Sequence, residues 1–436
     1  MIRRLDAGAL GVDGVVRALD RAAASVDAET RERVAQIVAA VREKGDAALL
    51  ELTARFDRVA LAPCDLAVSP AEYEAAERQV GARTVEALRY AAARIERFHR
   101  ATMPRSWSTT DDNGSVLGQE VRPLERVGIY VPGGRAAYPS TVLMTAVPAR
   151  VAGVKEIVLL SPPGPDRSLP SAVLAAARIA GVTEAYRVGG AQAIAALAYG
   201  TETIRRVDKI VGPGNIYVAL AKALVFGDVG IDMLAGPSEV VVIADGDADP
   251  ACVAADLLAQ AEHDPMARAV LLTSSPGLRD RVQAETERQL AGLHRREIAS
   301  SALRAHGALV LTASLEEAVE VANRLAPEHL ELAVADPEAL LARVRHAGAV
   351  FLGGFTPEVV GDYVAGPSHV LPTGGTARFS SALGTEDFVK RLSVIRYSPR
   401  GLAEAWPHLA ELARVEGLDA HGAAAGVRIT NTGGGA

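Results

Sequence analysis

The stretch RVGIYVPGG at residues 126–134 decides the fold class, because an apolar run of strand length ends there in a proline–glycine turn. Residues 127–131 read as a buried strand, and the sequence from Ser140 reads as the helix that follows the turn. The same order of strand, glycine turn and helix recurs downstream, with strands at 156–160, 185–188 and 210–211. Short strands that alternate with helices predict a mainly parallel, doubly wound sheet.

The alternation restarts after the segment GPSE at residues 236–239 and indicates a second α/β block. Its predicted strands are 240–244, 270–273, 309–312, 330–334 and 350–352, with helices at 250–262 and 276–293. Upstream, roughly the first 100 residues carry apolar side chains at helical spacing. Beyond about Leu383 we expect one or two further helices. The predicted fold is therefore α/β: two incomplete, doubly wound Rossmann-like blocks with a small N-terminal helical arm and a small C-terminal helical tail.

The composition excludes several classes of protein. The 436 residues carry a net charge of −7 with acidic and basic side chains interspersed, and aromatic residues make up 4%. A nucleic-acid partner would require a basic face or stacking aromatics, so none is expected. Charges interrupt the apolar runs, so we expect neither a transmembrane helix nor a signal peptide. Cys64 and Cys252 are far apart and form no CxxC pair, which fits a reducing cytoplasm.

Three glycine turns are candidates for a dinucleotide site, although neither GxGxxG nor a Walker A sequence occurs. They are GIYVPGG at residues 128–134, VGGAQ at 188–192 and GPGN at 212–215. Each exposes backbone at the carboxyl end of a predicted strand, where α/β folds bind ligands. Each is also compatible with ordinary turn chemistry, so both interpretations stay open at this point.

Four segments carry residues suited to metal or proton chemistry. In DLLAQAEHDP (256–265), Gln260 and His263 are three residues apart on a predicted helix and share a face, as half of a metal site would need. In LAPEHLEL (325–332), Glu328 and His329 adjoin an apolar strand, and histidine exchanges protons near neutral pH. The other two segments are the long loop 361–381, with Asp362, Ser368 and His369, and EGLDAHG (416–422), with Glu416 and His421. Such patterns are also common on plain protein surfaces.

Taken together, these segments resemble the blocks of the histidinol dehydrogenase family, in the family's order, from about Val34 to Arg428. The matching segments are GIYVPGG, YPSTVLM, GGAQAIAALAYGT, KIVGPGN, DMLAGPSEV, DLLAQAEHDP, LAPEHLEL, GPSHVLPTGGTARFSS and EGLDAHG. The resemblance implies a zinc- and NAD-dependent dehydrogenase that oxidises L-histidinol to L-histidine via histidinal in two hydride transfers. This four-electron oxidation is the last step of histidine biosynthesis. The resemblance also implies a cytoplasmic homodimer with shared active sites.

The resemblance further assigns roles to individual residues. One Zn²⁺ per subunit would be bound by Gln260, His263, Asp362 and His421, two imidazoles and two oxygens that suit this ion. His329 would take the alcohol proton, and Glu328 would activate the water that hydrates the aldehyde. The implied substrate pocket comprises Ser238, Gln260, His263, His329, Asp362, Glu416 and His421. The implied NAD contacts are Tyr130, Gln192 and Asn215, which lie in the three glycine turns.

We expect the following division of the chain. Residues 1–25 form an arm, 26–128 with 240–383 form an α/β domain that carries the metal and catalytic residues, and 129–239 form the NAD-binding domain. Residues 384–436 form a dimerisation tail, whose Glu416 and His421 would serve the site of the other subunit.

Three other functions stay open beside histidinol oxidation. The first is a related zinc alcohol dehydrogenase that acts on another small polyol or a sulfonate. The second is a zinc hydrolase with Glu328 as its base, against which the NAD turns argue. The third is a binding protein without catalysis, against which the intact pair Glu328 and His329 argues.

Overall fold

A computed structural model describes residues 2–19, 27–133 and 137–432 of the chain. Residue 134 of the first glycine turn and residues 20–25 of the predicted arm therefore lie outside the described residues. The chain folds into two compact units, Met1–Thr102 with Leu124–Phe388 and Met103–Pro123 with Val389–Ala436. Among the described residues, no helix combines the length and the apolar character that a membrane crossing requires.

The strands and helices have the following bounds. The strands are β1 (Arg3–Asp6), β2 (Trp107–Thr110), β3 (Val116–Pro123), β4 (Arg126–Tyr130), β5 (Glu156–Ser161), β6 (Glu184–Arg187), β7 (Lys209–Val211), β8 (Gly230–Ile231), β9 (Glu239–Ala244), β10 (Arg268–Thr273), β11 (Ala308–Leu311), β12 (His329–Ala333), β13 (Ala349–Leu352) and β14 (Val389–Arg396). The helices are α1 (Ala7–Leu19), α2 (Ala28–Lys44), α3 (Asp46–Phe56), α4 (Pro70–Val80), α5 (Ala82–Ala101), α6 (Pro139–Ala152), α7 (Ser171–Ala180), α8 (Gly190–Tyr199), α9 (Ile216–Val225), α10 (Pro250–Ala261), α11 (Pro276–Leu290), α12 (Arg296–His306), α13 (Leu315–Leu325), α14 (Pro337–Leu341), α15 (Glu358–Tyr363), α16 (Pro399–Glu416) and α17 (Asp419–Thr432).

A five-stranded parallel sheet in the first unit confirms the prediction made from RVGIYVPGG. Its order is β6-β5-β4-β7-β8, and Val127 of β4 lies opposite Ile157 of β5 and Lys209 of β7. The chain runs outward from β4 to β6 and then returns to β7 on the other side of β4. This reversal leaves a crevice beyond the carboxyl ends of β4 and β7, the place where open parallel sheets bind ligands.

A six-stranded parallel sheet, also in the first unit, confirms the second α/β block. Its order is β1-β11-β10-β9-β12-β13. Every residue of β9 and β10 is buried, as near-continuous apolar runs predict for a parallel sheet. The sequence predicts only helix at the N-terminus, whereas Arg3–Asp6 forms the edge strand β1 beside β11. The run RRLD is only four residues long and has a single apolar side chain, so it gives no local signal for a strand whose partner lies about 300 residues away.

Helix starts fall where the glycine turns end. At α9, the Asn215 side chain accepts hydrogen bonds from the N–H groups of Tyr217 and Val218, at 3.0 and 3.2 Å. At α10, the Asp249 side chain accepts from Ala251 N–H at 2.8 Å, ahead of the helix-starting Pro250. In α8, all side chains from Ala191 to Ala198 are buried, so this helix is enclosed on every face.

The second unit combines a small antiparallel sheet with two helices. Its three strands have the order β14-β3-β2, and Val394 of β14 lies opposite Gly118 of β3. The one or two tail helices expected from the sequence are two in the structure, α16 and α17. Strand β14 was not predicted, because VKRLSVIR is mostly exposed and pairs with a strand more than 260 residues earlier.

Candidate active site

The starts of two neighbouring parallel strands form the centre of the site. β9 begins at Glu239 and β12 at His329, and the two strands are paired in register. The residues just before them, Ser238 and Glu328, therefore meet at one edge of the six-stranded sheet. The Glu328 carboxyl accepts a hydrogen bond from Glu239 N–H at 2.9 Å and a second from the Ser238 side chain. The pair singled out in LAPEHLEL is thus buried beside Ser238.

Glu239 is a buried acid that the sequence analysis did not select. Its carboxylate pairs with the Arg268 guanidinium of β10. The carboxylate also accepts the N–H groups of Glu328 at 3.3 Å and Gly374 at 3.2 Å. A buried charge is tolerated when it is both paired and hydrogen-bonded in this way. Glu239 therefore holds the backbone around the Glu328–His329 pair in place. The one feature of the sequence that could have identified it is that an acidic residue begins the otherwise apolar run EVVVIA.

His329 is 4% exposed, and one side of its ring is fixed. Its Nδ1 lies 3.1 Å from the Glu239 carbonyl oxygen and 3.5 Å from Glu358 Oε1. Because a carbonyl only accepts, Nδ1 carries the hydrogen in this contact and Nε2 is the basic nitrogen. Burial lowers the pKa of His329 to about 4, and the charge of Asp362 only partly offsets that effect. The ring is therefore neutral at physiological pH, as a proton acceptor must be.

The environment of Glu328 also alters its acidity. Burial raises the pKa of this carboxyl well above its ordinary value, and the charges of Glu239 and Asp362 act in the same direction. Hydrogen bonds from Glu239 N–H and Ser238 oppose the shift. A carboxyl whose pKa moves towards neutrality is a stronger base once ionised than an ordinary glutamate. The pair can therefore supply two proton acceptors at one place.

Gln260, His263 and Asp362 lie on or just beyond two helices that are in contact, α10 and α15. Gln260 in the last turn of α10 is fully buried, and neither its amide oxygen nor its amide nitrogen has a hydrogen-bond partner among the described residues. Such an amide is costly unless a ligand satisfies it. An amide oxygen, an imidazole and a carboxylate are all suitable donors to a divalent cation. The residues present therefore fit a metal ion.

Two of these donors, His263 and Asp362, lie close enough to His329 to act on it electrostatically. His263 lowers and Asp362 raises the pKa of His329, and both act in the same directions on His369. Within the described ranges, no group of three or more His, Cys, Asp or Glu side chains is arranged to hold a metal. A metal here would need the Gln260 amide and a donor from elsewhere in addition to His263 and Asp362.

Two further side chains belong to this region. His369 Nδ1 lies 3.0 Å from the Asp362 carbonyl oxygen, and its Nε2 lies 3.3 Å from Thr141 Oγ1. His369 was a candidate in the loop 361–381 but had no predicted role. Glu358 is 2% exposed and was missed, although it lies one helical turn before Asp362. That spacing was the only available signal, and it became informative only when α15 was known to be a helix.

Glu416 and His421 lie in the second unit. Glu416 is the last residue of α16, and His421 is the third residue of α17. Both side chains are exposed in the single chain.

The three glycine turns lie at the carboxyl edge of the five-stranded sheet, after β4, β6 and β7. Tyr130 is buried, and its hydroxyl accepts the Gly190 N–H at 3.0 Å, which ties the first turn to the second. Gln192 is buried in the first turn of α8, and Asn215 is exposed at the start of α9. The backbone at Gly189 passes so close to Pro162 that an added Cβ would lie 2.5 Å from the proline side chain. These turns fit a dinucleotide, since they give bare backbone and two helix N-termini at the ligand edge of the sheet.

Comparisons with known proteins confirm the family resemblance. The profile of the family described as histidinol dehydrogenase matches residues 19–429. Histidinol dehydrogenase of Geobacillus kaustophilus is 58% identical over 401 residues, which are 92% of this chain and 94% of that protein. Histidinol dehydrogenase of Syntrophotalea carbinolica is 54% identical over 92% of this chain and 93% of its own length. The crystal structure of histidinol dehydrogenase from Elizabethkingia anophelis superposes with a TM-score of 0.94 at 37% identity, over 99% of both chains.

Proposed function

The chain belongs to the histidinol dehydrogenase family, and from that premise we propose that it oxidises L-histidinol to L-histidine through histidinal, with NAD as the electron acceptor. This four-electron oxidation is the last step of histidine biosynthesis. The observation that carries the proposal is the buried pair at the start of β12. His329 is a neutral base with a fixed ring, and the Glu328 carboxyl beside it has a raised pKa.

The first oxidation needs one proton acceptor at the alcohol. His329 Nε2 takes the hydroxyl proton while the carbinol carbon loses a hydride. The Nδ1–H group of His329 remains hydrogen-bonded to the Glu239 carbonyl oxygen. Glu358 Oε1 lies 3.5 Å from His329 Nδ1, where it can stabilise the imidazolium that forms. NAD, when bound, accepts one hydride in each of the two oxidations.

The second oxidation needs water, because an aldehyde must become a hydrate before its carbon can lose a second hydride. Glu328 takes a proton from the attacking water, and the water oxygen bonds to the aldehyde carbon. The proton that His329 took in the first oxidation passes to the aldehyde oxygen, which completes the hydrate. The neutral ring then takes a hydroxyl proton from the hydrate as the second hydride leaves, which yields the carboxylic acid. Two bases at one place therefore match a reaction with two different proton transfers.

The proposal assigns one Zn²⁺ per subunit to Gln260, His263, Asp362 and His421. Zinc, when bound, would hold the imidazole and amino nitrogens of the substrate and so orient its alcohol carbon. The unpartnered amide of buried Gln260 supports the assignment. His369 would keep the Asp362 segment in place through its contact with the Asp362 carbonyl.

We assign NAD binding to residues 129–239, with Tyr130, Gln192 and Asn215 as contacts. The crevice between β4 and β7 at the carboxyl edge supports this assignment. In the same proposal, residues 26–128 with 240–383 form the domain that carries the metal and catalytic groups.

We further propose a cytoplasmic homodimer with shared sites. Residues 384–436 would be the dimerisation tail, and Ser238 from one subunit would line the substrate pocket with Glu416 and His421 of the other. The second unit exposes an unusual amount of apolar surface, which supports an interface there. Its exposed apolar residues include Trp107, Ile395, Leu412 and Val415. Cys64 and Cys252 are both free thiols, as a reducing compartment favours.

The test is a turnover assay with purified protein, zinc, NAD and L-histidinol, followed through the absorbance of NADH. Two NADH formed for each histidinol consumed, with L-histidine as the product, is the expected result. A matched control uses His329→Asn, which should bind zinc and abolish turnover. Turnover with other polyols but not with histidinol would reject the proposal in favour of a related alcohol dehydrogenase. Hydrolysis without NAD would reject it in favour of a hydrolase.

A further inference from the structure

A buried ion pair lies directly behind the third glycine turn. Lys222 of α9 contacts the carboxylate of Asp232, which follows β8. Their side chains are 3% and 1% exposed. Removing two charges from water is costly, so such a pair is retained only where its hydrogen bonds are complete or its position serves a purpose.

The pair binds both backbone polar groups of one residue, Gly212. Gly212 N–H donates to Asp232 Oδ2 at 2.7 Å, and Lys222 Nζ donates to the Gly212 carbonyl at 2.8 Å. We call Lys222, Asp232 and Gly212 the clamp. Gly212 has a φ of +112°, and an added Cβ would lie 2.2 Å from the Tyr130 carbonyl oxygen. The clamp therefore fixes a conformation that only glycine adopts, pressed against the backbone of the first turn.

The clamp also restrains the two other glycine turns, because all three turns are in contact. Tyr130, against which Gly212 packs, is joined through its hydroxyl to Gly190 N–H of the second turn. Downstream of Gly212, the GPGN turn leads into Asn215, whose side chain caps α9. The three turns at the carboxyl edge of the five-stranded sheet are thus linked in series, and the ion pair holds one end of the series.

We propose that Lys222 and Asp232 are positioning residues for the dinucleotide, which hold the three glycine turns in the binding conformation. This inference rests on the proposed assignment of NAD to residues 129–239. A preformed binding surface avoids the ordering cost of closing around its ligand, so loss of the clamp weakens cofactor binding. Substrate binding depends on residues at the edge of the other sheet and is not expected to change.

A buried ion pair can also contribute to folding stability without affecting ligand binding. Another ion pair of the same sheet provides a control that separates these two effects. Arg126, the first residue of β4, is 7% exposed and pairs with Glu156 and Glu184 at the amino edge. It is a buried guanidinium paired with two partly exposed carboxylates, in the same sheet and at the edge away from the glycine turns. Arg126→Met should therefore cost stability without affecting cofactor affinity.

The experiment measures NADH binding to the zinc-loaded protein by fluorescence titration, together with thermal unfolding and steady-state kinetics. We expect Lys222→Met and Asp232→Asn to raise the NADH Kd by about tenfold, or about 1.4 kcal/mol. The KM for NAD should rise similarly, while the KM for L-histidinol and kcat at saturating NAD stay within about twofold. Arg126→Met should leave the NADH Kd within about twofold of the parent value.

Two results would overturn the inference. One is a folded clamp variant that binds NADH as the parent protein does, and the other is an equal loss of affinity in Arg126→Met. If Lys222→Met does not fold, the isosteric Asp232→Asn decides the question alone. A parent protein that binds no NADH would instead reject the proposed function, and the inference with it.

Discussion

The imidazole of His99 provides a quantitative test of the packing of the first unit. His99 lies in α5 and is 1% exposed, and neither ring nitrogen has a hydrogen-bond partner among the described residues. Burial lowers its pKa from about 6.5 to about 4. Because only the unfolded chain binds a proton between these values, stability is fully present above pH 6.5 and declines as the pH falls towards 4.

The size of the effect follows from the two pKa values. At pH 5 the unfolded state gains about 2 kcal/mol from protonation at His99, while the folded state gains almost nothing. Below pH 4 the loss approaches about 3 kcal/mol. At pH 7.5 neither state binds the proton to a significant extent. His99→Gln removes this titration, so the free energy of unfolding of the variant should fall less on acidification.

The assay is urea unfolding at pH 7.5 and pH 5, at one protein concentration and one zinc concentration. The parent protein should lose about 2 kcal/mol more than His99→Gln between the two pH values. This double difference cancels the other titrating groups and any uniform cost of the substitution. The exposed His294→Gln is the control and should change with pH as the parent does. Identical pH dependence of the parent and His99→Gln would refute the reasoning.

Three further predictions concern the proposed site. Glu328→Gln should slow histidinal oxidation by about a hundredfold and histidinol oxidation much less, measured in single turnovers; equal losses would contradict the water-activating role. His263→Asn and Asp362→Asn should each lose most of the bound zinc in metal analysis, and an unchanged zinc content would show that the ligands are wrongly assigned. An equal mixture of Glu328→Gln and His421→Asn chains, after exchange of subunits, should recover about a quarter of the parent activity, because half the dimers would contain one intact site. No recovery would indicate self-contained subunits.

The sequence predicted the two parallel sheets because their signals are local. An apolar run, a glycine turn and a helix stand next to each other in RVGIYVPGG and again at each later unit. Strands β1 and β14 were not predicted, because each forms only by pairing with a strand that is distant in the sequence. The partner of β1 is β11, and the partner of β14 is β3. The order of strands, and hence the crevice between β4 and β7, is likewise a property of the pairing and not of any local pattern.

The same distinction applies to the site. Glu328 and His329 are adjacent in the sequence, and Gln260 and His263 are three residues apart, so both pairs could be selected from the chain alone, although α10 ends at Ala261 and His263 lies just beyond it. Glu239 could not, because its role arises from Arg268 on the neighbouring strand. The clamp could not be predicted from the sequence either. A lysine at position 222 of a predicted helix has no distinguishing feature, and only the structure shows its contact with Gly212.

The connection between the two parallel sheets limits how far the glycine turns can lie from Glu328 and His329. The chain leaves β8 at the clamp residue Asp232 and enters β9 at Glu239, which bonds directly to Glu328. Seven residue steps span at most about 25 Å even when fully extended. The Thr373 hydroxyl accepts Gly236 N–H at 2.5 Å partway along, which anchors this connection. The carboxyl edge of the five-stranded sheet and the amino edge of the six-stranded sheet are therefore joined by a short connection, which its contact with Thr373 holds in place independently of the ion pair at Gly212.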